Sequence, residues 1–251
     1  MKTGIPGALA LAGLLAVGAW ATSAFAATLS RDALRNVVAA CAVAKSTLNV
    51  SFPCTDVVLG SSNAEGYAVL RTPGSGSEFL VAPLNPIDGI ESQELRSSAA
   101  TRLWSAAWSA RSDVVAALGK PLGRSALGLA VNAVGTRTQD HFHIHVDCVR
   151  ETVASALDSN SARIGDDWTQ LPGRLRGDRY WVRSVKGSDL AGVNVPQLMA
   201  AAPPAAVASP GSATVALVGA TLADGSDGFY ILANWTNSSA ERLLDHSCRG
   251  R

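Results

Sequence analysis

Residues 137–148 read RTQDHFHIHVDC and hold three of the chain's four histidines, His141, His143 and His145. Polar and apolar residues alternate strictly through HFHIHV. That period predicts a β-strand with the three imidazoles on one face and Phe142, Ile144 and Val146 on the other, core-facing side. Cys148 has the core-side parity, which counts against a mixed His/Cys metal site. At a strand rise of roughly 3.3 Å per residue, His141 and His145 stand about 13 Å apart, too far for both to grip one ion at ~2 Å. Two of the three could still bind a metal with a distant carboxylate, and a strand whose polar face merely carries histidines is the plainest alternative. Nucleophilic catalysis is the reading that uses all three. A neutral imidazole nitrogen attacks phosphorus well at neutral pH, giving a phosphoramidate, provided the other ring nitrogen is held by a hydrogen bond that sets the tautomer. Imidazoles two residues away can donate to the phosphoryl oxygens as charge develops. No metal and no cofactor is called for by this chemistry.

His-apolar-His-apolar-His-apolar resembles the signature of the histidine-triad superfamily of nucleotide hydrolases and transferases. The resemblance implies that His143 is the nucleophile, attacking the α-phosphate of a nucleotide, and that His141 and His145 support the phosphate and orient the ring. It also implies substrate contacts from Thr138, three positions before the first histidine, from the polar Arg137 beside it, and from Asn132 at the end of LAVN. Lys120 and Arg124 are outer candidates for offsetting phosphate charge, against the simpler reading of solvated loop charges. The pattern departs from many members in lacking a histidine upstream of the triad. The fourth histidine, His246, lies far downstream and is left outside the expected site.

The elements that must carry this segment are legible in outline. SRDALRNVVAACAVA has helical spacing with Ser30 as a candidate N-cap. YAVLRT and EFLVAP flank PGSGS and predict a β-hairpin. Residues 97–118 predict one long helix, with a stripe of Leu103, Ala107, Ala110 and Val114, Trp104 and Trp108 beside it, and Gly119 and Pro121 to stop it. ALGLAVN predicts a buried strand and ETVASALDSNSARI a further helix. DWTQLPGRLRGDRYWVR, TVALVGATL and GFYILANW predict more strands, with a short helix near the end. AAAPPAAVASPGS, residues 200–212, is a low-complexity loop or linker. The whole predicts an α+β domain with an antiparallel sheet and packed helices. Hairpin, loop and helix recur after about residue 165, which suggests a degenerate second half without a residue-level repeat.

The chain has 251 residues, 47% of them hydrophobic, and a formal net charge of +1. That supports one ordinary core and gives no basic excess for a nucleic-acid partner. Lys2 followed by the uncharged run from Gly4 to Phe25, with the small-x-small triplet Ala24, Phe25, Ala26, reads as an export segment over residues 1–26, either cleaved or kept as a membrane anchor. The remainder, 27–251, is expected at the periplasmic face of the inner membrane, or free in the periplasm after cleavage. Cys41, Cys54, Cys148 and Cys248 are even in number in an exported domain, which favours two disulfides over a zinc site lacking any C-x-x-C. Three connectivities are open; Cys41–Cys54 with Cys148–Cys248 is preferred.

A narrower likeness covers most of the chain from about Leu34 to Cys248. LNPIDGIES, LWSAAWSAR, AVNAVGTRTQDHFHIHVDCVR, LPGRLRG and DHSC, with the N-terminal segment and four cysteines, resemble the bacterial CDP-diacylglycerol pyrophosphatases. That resemblance implies hydrolysis of CDP-diacylglycerol to CMP and phosphatidate, a nucleotide–lipid substrate and a membrane surface as partner. It implies no oligomeric state. A general histidine-triad nucleotide hydrolase or transferase is the nearest rival, and a non-catalytic periplasmic metal- or nucleotide-binding module the rival from another class.

Overall fold

A computed structural model describes residues 30–61 and 65–249. The expected export segment, residues 1–26, lies outside the described residues. Among the described residues no helix is long and apolar enough to cross a membrane.

The chain builds one nine-stranded antiparallel sheet with the order β1-β2-β3-β5-β4-β8-β9-β7-β6. The strands are β1 (Asp56–Val58), β2 (Tyr67–Arg71), β3 (Phe79–Pro83), β4 (Leu127–Val131), β5 (Ile144–Cys148), β6 (Thr169–Gln170), β7 (Trp181–Lys186), β8 (Thr214–Thr221) and β9 (Asp227–Asn234). Helices α1 (Ala33–Leu48), α2 (Ser98–Ser109), α3 (Arg111–Leu118), α4 (Glu151–Asp158) and α5 (Val195–Ala200) cover its faces. The α+β expectation holds, as does the hairpin of β2 and β3, in which Arg71 pairs with Phe79.

The strand periodicity sorts side chains onto two buried faces. Phe142, Ile144, Val146 and Cys148 join Val81, Leu129, Leu217 and Ile231 in one core, roofed by Trp104, Ala107 and Val114 from α2 and α3. The opposite face holds two separate apolar clusters. One packs Leu34 and Val38 of α1 on Ala68, Leu70 and Ala82; the other packs Val153 and Leu157 of α4 on Val218, Tyr230 and Leu232. The histidine strand runs between those two clusters. The imidazoles therefore sit on the side of the sheet where the apolar cover is interrupted.

The predicted single helix is two. Ala110 separates α2 from α3. Arg111 folds back so that its guanidinium lies 4.5 Å over the Trp108 ring and donates to the Trp108 carbonyl, while Ser112 Oγ donates to the Ser109 carbonyl. Side chains that take helix carbonyls in this way compete with the i→i−4 ladder. Gly119, at φ +65°, caps α3 as expected. Ser30 does not cap α1; its hydroxyl accepts from Asp32 N–H one step too early. The histidine strand is shorter than its alternation predicts, because β5 begins only at Ile144. Residues 200–212 form two short 3-10 turns, Pro203–Ala206 and Pro210–Ser212.

The two halves share a strand order. In the first, β2-β3-β5-β4 runs inward to the centre of the sheet, and in the second β6-β7-β9-β8 does the same from the other edge. They meet where Ala130 of β4 pairs with Ala216 of β8. Ala130 also pairs with His145 and Ala216 with Leu232, so Leu232 occupies in the second half the place of His145 in the first.

Both preferred disulfides are present, Cys41–Cys54 and Cys148–Cys248. The first pins α1 to the loop before β1; the second holds the C-terminal segment against the end of β5.

Trp104 and Trp108 lie inside the core, at 0% and 1% exposure, so neither faces a membrane. Trp104→Ala is expected to lower the unfolding free energy by about 3–5 kcal/mol, the usual cost of emptying an aromatic site. Urea denaturation followed by circular dichroism measures it.

Candidate active site

His141 and His143 lie in the extended run-in to β5, and His145 in the strand itself. The run-in is held from several sides. Phe142 N–H donates to the Ile87 carbonyl at 2.7 Å, which lays the loop after β3 along the histidine segment. Arg137 donates to both oxygens of Glu91, each at 2.8 Å, and to Asp140 at 3.0 Å. The Arg137 guanidinium fits only because residue 89 is glycine: a Cβ there would stand 1.9 Å from Nη1. From the turn before α1, Arg31 binds Asp140 at 2.6 Å, and from the first turn of α1 Leu34 N–H donates to Gln139 Oε1 at 2.9 Å.

Each imidazole is buried and hydrogen-bonded on the polar side of the segment. His141 Nε2–H donates to the Pro83 carbonyl at 2.9 Å. His143 Nδ1–H donates to the His141 carbonyl at 2.6 Å. A carbonyl only accepts, so Nδ1 of His143 carries the proton and Nε2 keeps its lone pair. Burial, reinforced by the neighbouring His145 ring, pushes the His143 pKa down to about 3, which keeps it neutral at pH 7. Burial also lowers the His141 pKa. The His143 and His145 rings meet edge to face with centroids 4.8 Å apart.

His145 Nδ1–H donates to Glu78 Oε1 at 2.8 Å. The β3–β5 register, with Leu80 opposite His145, places Glu78 at the start of β3 on the same face. Nε2 of His145 is buried without a hydrogen-bond partner among the described residues and lies 3.4 Å from Glu241 Oε2. Glu241 is on the 3-10 turn Ala240–Leu243. Asn132 holds that turn: Nδ2 donates to Glu241 Oε2 at 2.7 Å, and Oδ1 accepts from Ser239 Oγ and from Glu241 N–H.

His246, left out of the expected site, belongs to it. Its Nδ1–H donates to Asp147 Oδ2 at 2.8 Å, and its Nε2 is 3.4 Å from Glu241 Oε1. The Asp147 bond and then Glu241 raise its pKa to about 10, against burial, so the ring is an imidazolium. Burial pushes the Glu241 carboxyl up, but the His246 bond, the neighbouring His145 ring and the Asn132 bond more than offset this and hold it at about 2. Glu78 is likewise lowered on balance: burial raises it, and the His145 bond with the nearby His246 imidazolium outweighs burial.

The structure thus brings together His141, His143, His145 and Asn132, and adds Glu78, Asp147, Glu241 and His246. Arg137 lines the narrow crevice beside His141, His143 and Asn132, of about 10 Å³, with its charge already engaged by Glu91 and Asp140. Thr138 is exposed. Arg124 lies elsewhere, bound to Asp227 at 3.0 Å and to the Gly187 and Gly228 carbonyls. A hollow of about 1000 Å³ lined by Arg183, Lys186, Asn194 and Asp224 contains none of the histidines; the chemistry identifies the site, and size does not.

The added residues had a faint sequence signal. If Cys148 pairs with Cys248, a residue two before Cys248 must fall close to a strand ending at Cys148. That bond is made, with Cα atoms 5.4 Å apart, and Val149 bridges Leu244. Nothing local marks Glu78 or Glu241. Among the described residues three sets have ligand atoms within 4.8 Å of one another: Asp147–Cys148–Cys248, whose cysteines are bonded to each other, and Glu78–Asp147–His246 and Glu78–His145–Glu241, the two that could hold a metal ion. Imidazole N–H to carboxylate contacts already pair much of both sets.

The folded-state pKa of His246 lies above its ordinary unfolded value of about 6.5. Its stabilising contribution is therefore complete below that value and is lost as pH rises through about 10. Denaturation at a series of pH values should show wild type and His246→Gln differing most at pH 6 and converging toward pH 10.

Comparison with known proteins gives one family. The family model described as CDP-diacylglycerol pyrophosphatase matches residues 29–251. A CDP-diacylglycerol pyrophosphatase of Yersinia pestis is 33% identical over 203 residues, covering 78% of this chain and 76% of that protein.

Proposed function

The chain belongs to the CDP-diacylglycerol pyrophosphatase family and hydrolyses CDP-diacylglycerol, and we propose that it does so through a covalent nucleotidyl-histidine on His143. The observation that carries this reading is the 2.6 Å bond from His143 Nδ1–H to the His141 carbonyl, which leaves Nε2 as a free lone pair on a neutral ring. In the first step Nε2 attacks the α-phosphorus of the cytidine phosphate. The bond from that phosphorus to the bridging oxygen breaks, and phosphatidate leaves with the electron pair. The positive charge that develops on the ring is stabilised through Nδ1–H by the His141 carbonyl. Asn132 lines the crevice beside His143 and the His145 ring packs against that of His143, so both supply polar groups beside the phosphoryl oxygens as they collect charge. Phosphatidate is a stable anion, so the leaving group needs charge stabilisation more than a strong acid. Water then breaks the phosphorus–nitrogen bond and releases CMP.

His143→Ala should lower CMP release by about ten-thousand-fold or more, with an unchanged melting curve. Substrate labelled in the cytidine phosphate should leave acid-labile label on wild-type protein and none on the variant. Full activity in His143→Ala would sink the assignment. The acidic groups around His145 favour a second reading, hydrolysis assisted by a divalent cation, which chelator-sensitive turnover without any protein-bound label would support.

The proposed location is the membrane surface facing the periplasm. Lys2, the apolar run to Phe25 and two disulfides support it. So do the exposed apolar side chains Val43, Leu48, Val50 and Phe52, at 61%, 72%, 47% and 77% exposure, carried by α1 and the loop after it. In sequence, α1 is the first described element after the apolar N-terminal run. Replacing Leu48 and Phe52 by Asp should reduce sedimentation of residues 27–251 with phospholipid vesicles, while hydrolysis of detergent-dispersed substrate persists. The repeated strand order supports reading the chain from about residue 165 as a degenerate copy of the first half, with Leu232 where His145 would stand.

A further inference from the structure

The covalent route needs a group to activate the water of its second step, and six acidic or imidazole groups surround His143. His145 has Nδ1–H committed to Glu78 and Nε2 facing Glu241, and His246 has both ring nitrogens facing carboxylates. His141 has its Nε2–H committed to the Pro83 carbonyl. Glu78 is 4% exposed and accepts from His145. Asp147 is fully buried, with Oδ1 taken by Cys148 N–H and Oδ2 by His246. Glu241 differs from all of these. Its side chain is 33% exposed, so it reaches solvent. Its Oε2 is 3.4 Å from the otherwise unpartnered Nε2 of His145, whose ring packs edge to face on that of His143 with centroids 4.8 Å apart. Its backbone is fixed by Asn132, and its Oε1 has only the longer 3.4 Å approach of His246.

We propose that Glu241 is the general base that takes a proton from the water attacking the nucleotidyl-histidine. This rests on the covalent reading above. The water oxygen bonds to phosphorus as one of its protons passes to the Glu241 carboxylate. The phosphorus–nitrogen bond breaks, its electron pair returns to His143 Nε2, and CMP departs. Glu241 then gives its proton to solvent. The carboxylate is poorly placed for the first step, since it repels the diphosphate. Departure of anionic phosphatidate removes much of that repulsion and opens room for water. Asn132 and His246 are positioning residues: the first holds the turn and one oxygen, the second the other oxygen. Glu241 reaches the site because the Cys148–Cys248 bond and the Val149–Leu244 bridge pin the C-terminal segment beside β5.

The test is rapid-quench kinetics with CDP-diacylglycerol labelled in the cytidine phosphate. Glu241→Gln should release about one equivalent of phosphatidate per enzyme in a burst near the wild-type rate. Its CMP release should slow by about a hundredfold or more, as expected for loss of a general base, and acid-labile label should accumulate on the protein. Glu241→Asp, which keeps the carboxylate, should recover part of CMP release, and it replaces Glu241→Gln should that variant fail to fold. If burst and CMP release fall together in either variant, with label on wild type but no excess on the variant, Glu241 is not the base and the covalent route stands. If no label forms on wild type or variant at any quench time, the covalent route itself fails and this assignment with it.

Discussion

A single short hydrogen bond, from the His143 ring to the carbonyl two residues before it, sets the rest of the site. It decides which nitrogen carries the proton and which faces phosphorus. It also requires residues 141–143 to be extended but out of the sheet ladder, because a carbonyl already paired to β3 or β4 would have less to offer the ring. This accounts for the late start of β5. The cost is a segment without strand partners, and the structure meets it with Arg137 between Glu91 and Asp140, Arg31 just before α1 and Arg35 on it, and the Phe142–Ile87 backbone bond. Arg137, which sequence spacing offers to the substrate, is in this sense spent on holding the nucleophile's own backbone.

The second constraint is electrostatic. A neutral His143 supplies no positive charge, and beside the triad stands the His246 imidazolium, ringed by Asp147, Glu78 and Glu241. Buried charges of this kind persist only when paired, because desolvation is costly. The carboxylates stabilise the imidazolium, and the imidazolium keeps the carboxylates ionised. The cluster depends on the C-terminal segment staying in place, and the Cys148–Cys248 bond holds it there. In the chain-entropy view a cross-link closing so long a loop contributes about 4–5 kcal/mol. Here the same bond also completes the site.

The two-sided burial of the sheet explains why one half carries the chemistry. Ala130 and Ala216 meet at the sheet centre, and the positions flanking them diverge. In the first half the flanking residue is His145, facing Glu78 and Glu241; in the second it is Leu232, packed under α4 with Val153 and Leu157. An apolar cover over the second half leaves the sheet stable there and leaves no polar cavity. The gap between the α1 and α4 clusters is the place on that face where the polar network fits.

Local periodicity was enough to read much of this chain. Alternation in HFHIHV separated the imidazoles from Phe142, Ile144 and Val146, and the structure keeps that separation. The stripe on α2 and α3 and the β2–β3 hairpin were equally legible, because each follows from neighbours in sequence, and the even number of cysteines after an export segment pointed to two disulfides. What stayed hidden was set by distant contacts. Glu78 enters through strand register, Glu241 through its backbone bonds to Asn132, and His246 through a disulfide spanning 100 residues. A sequence pattern reports which face a residue takes on its own element. Which carboxylate stands opposite which imidazole is decided only when the elements pack, since desolvation makes ionisable groups find partners across the fold rather than along the chain.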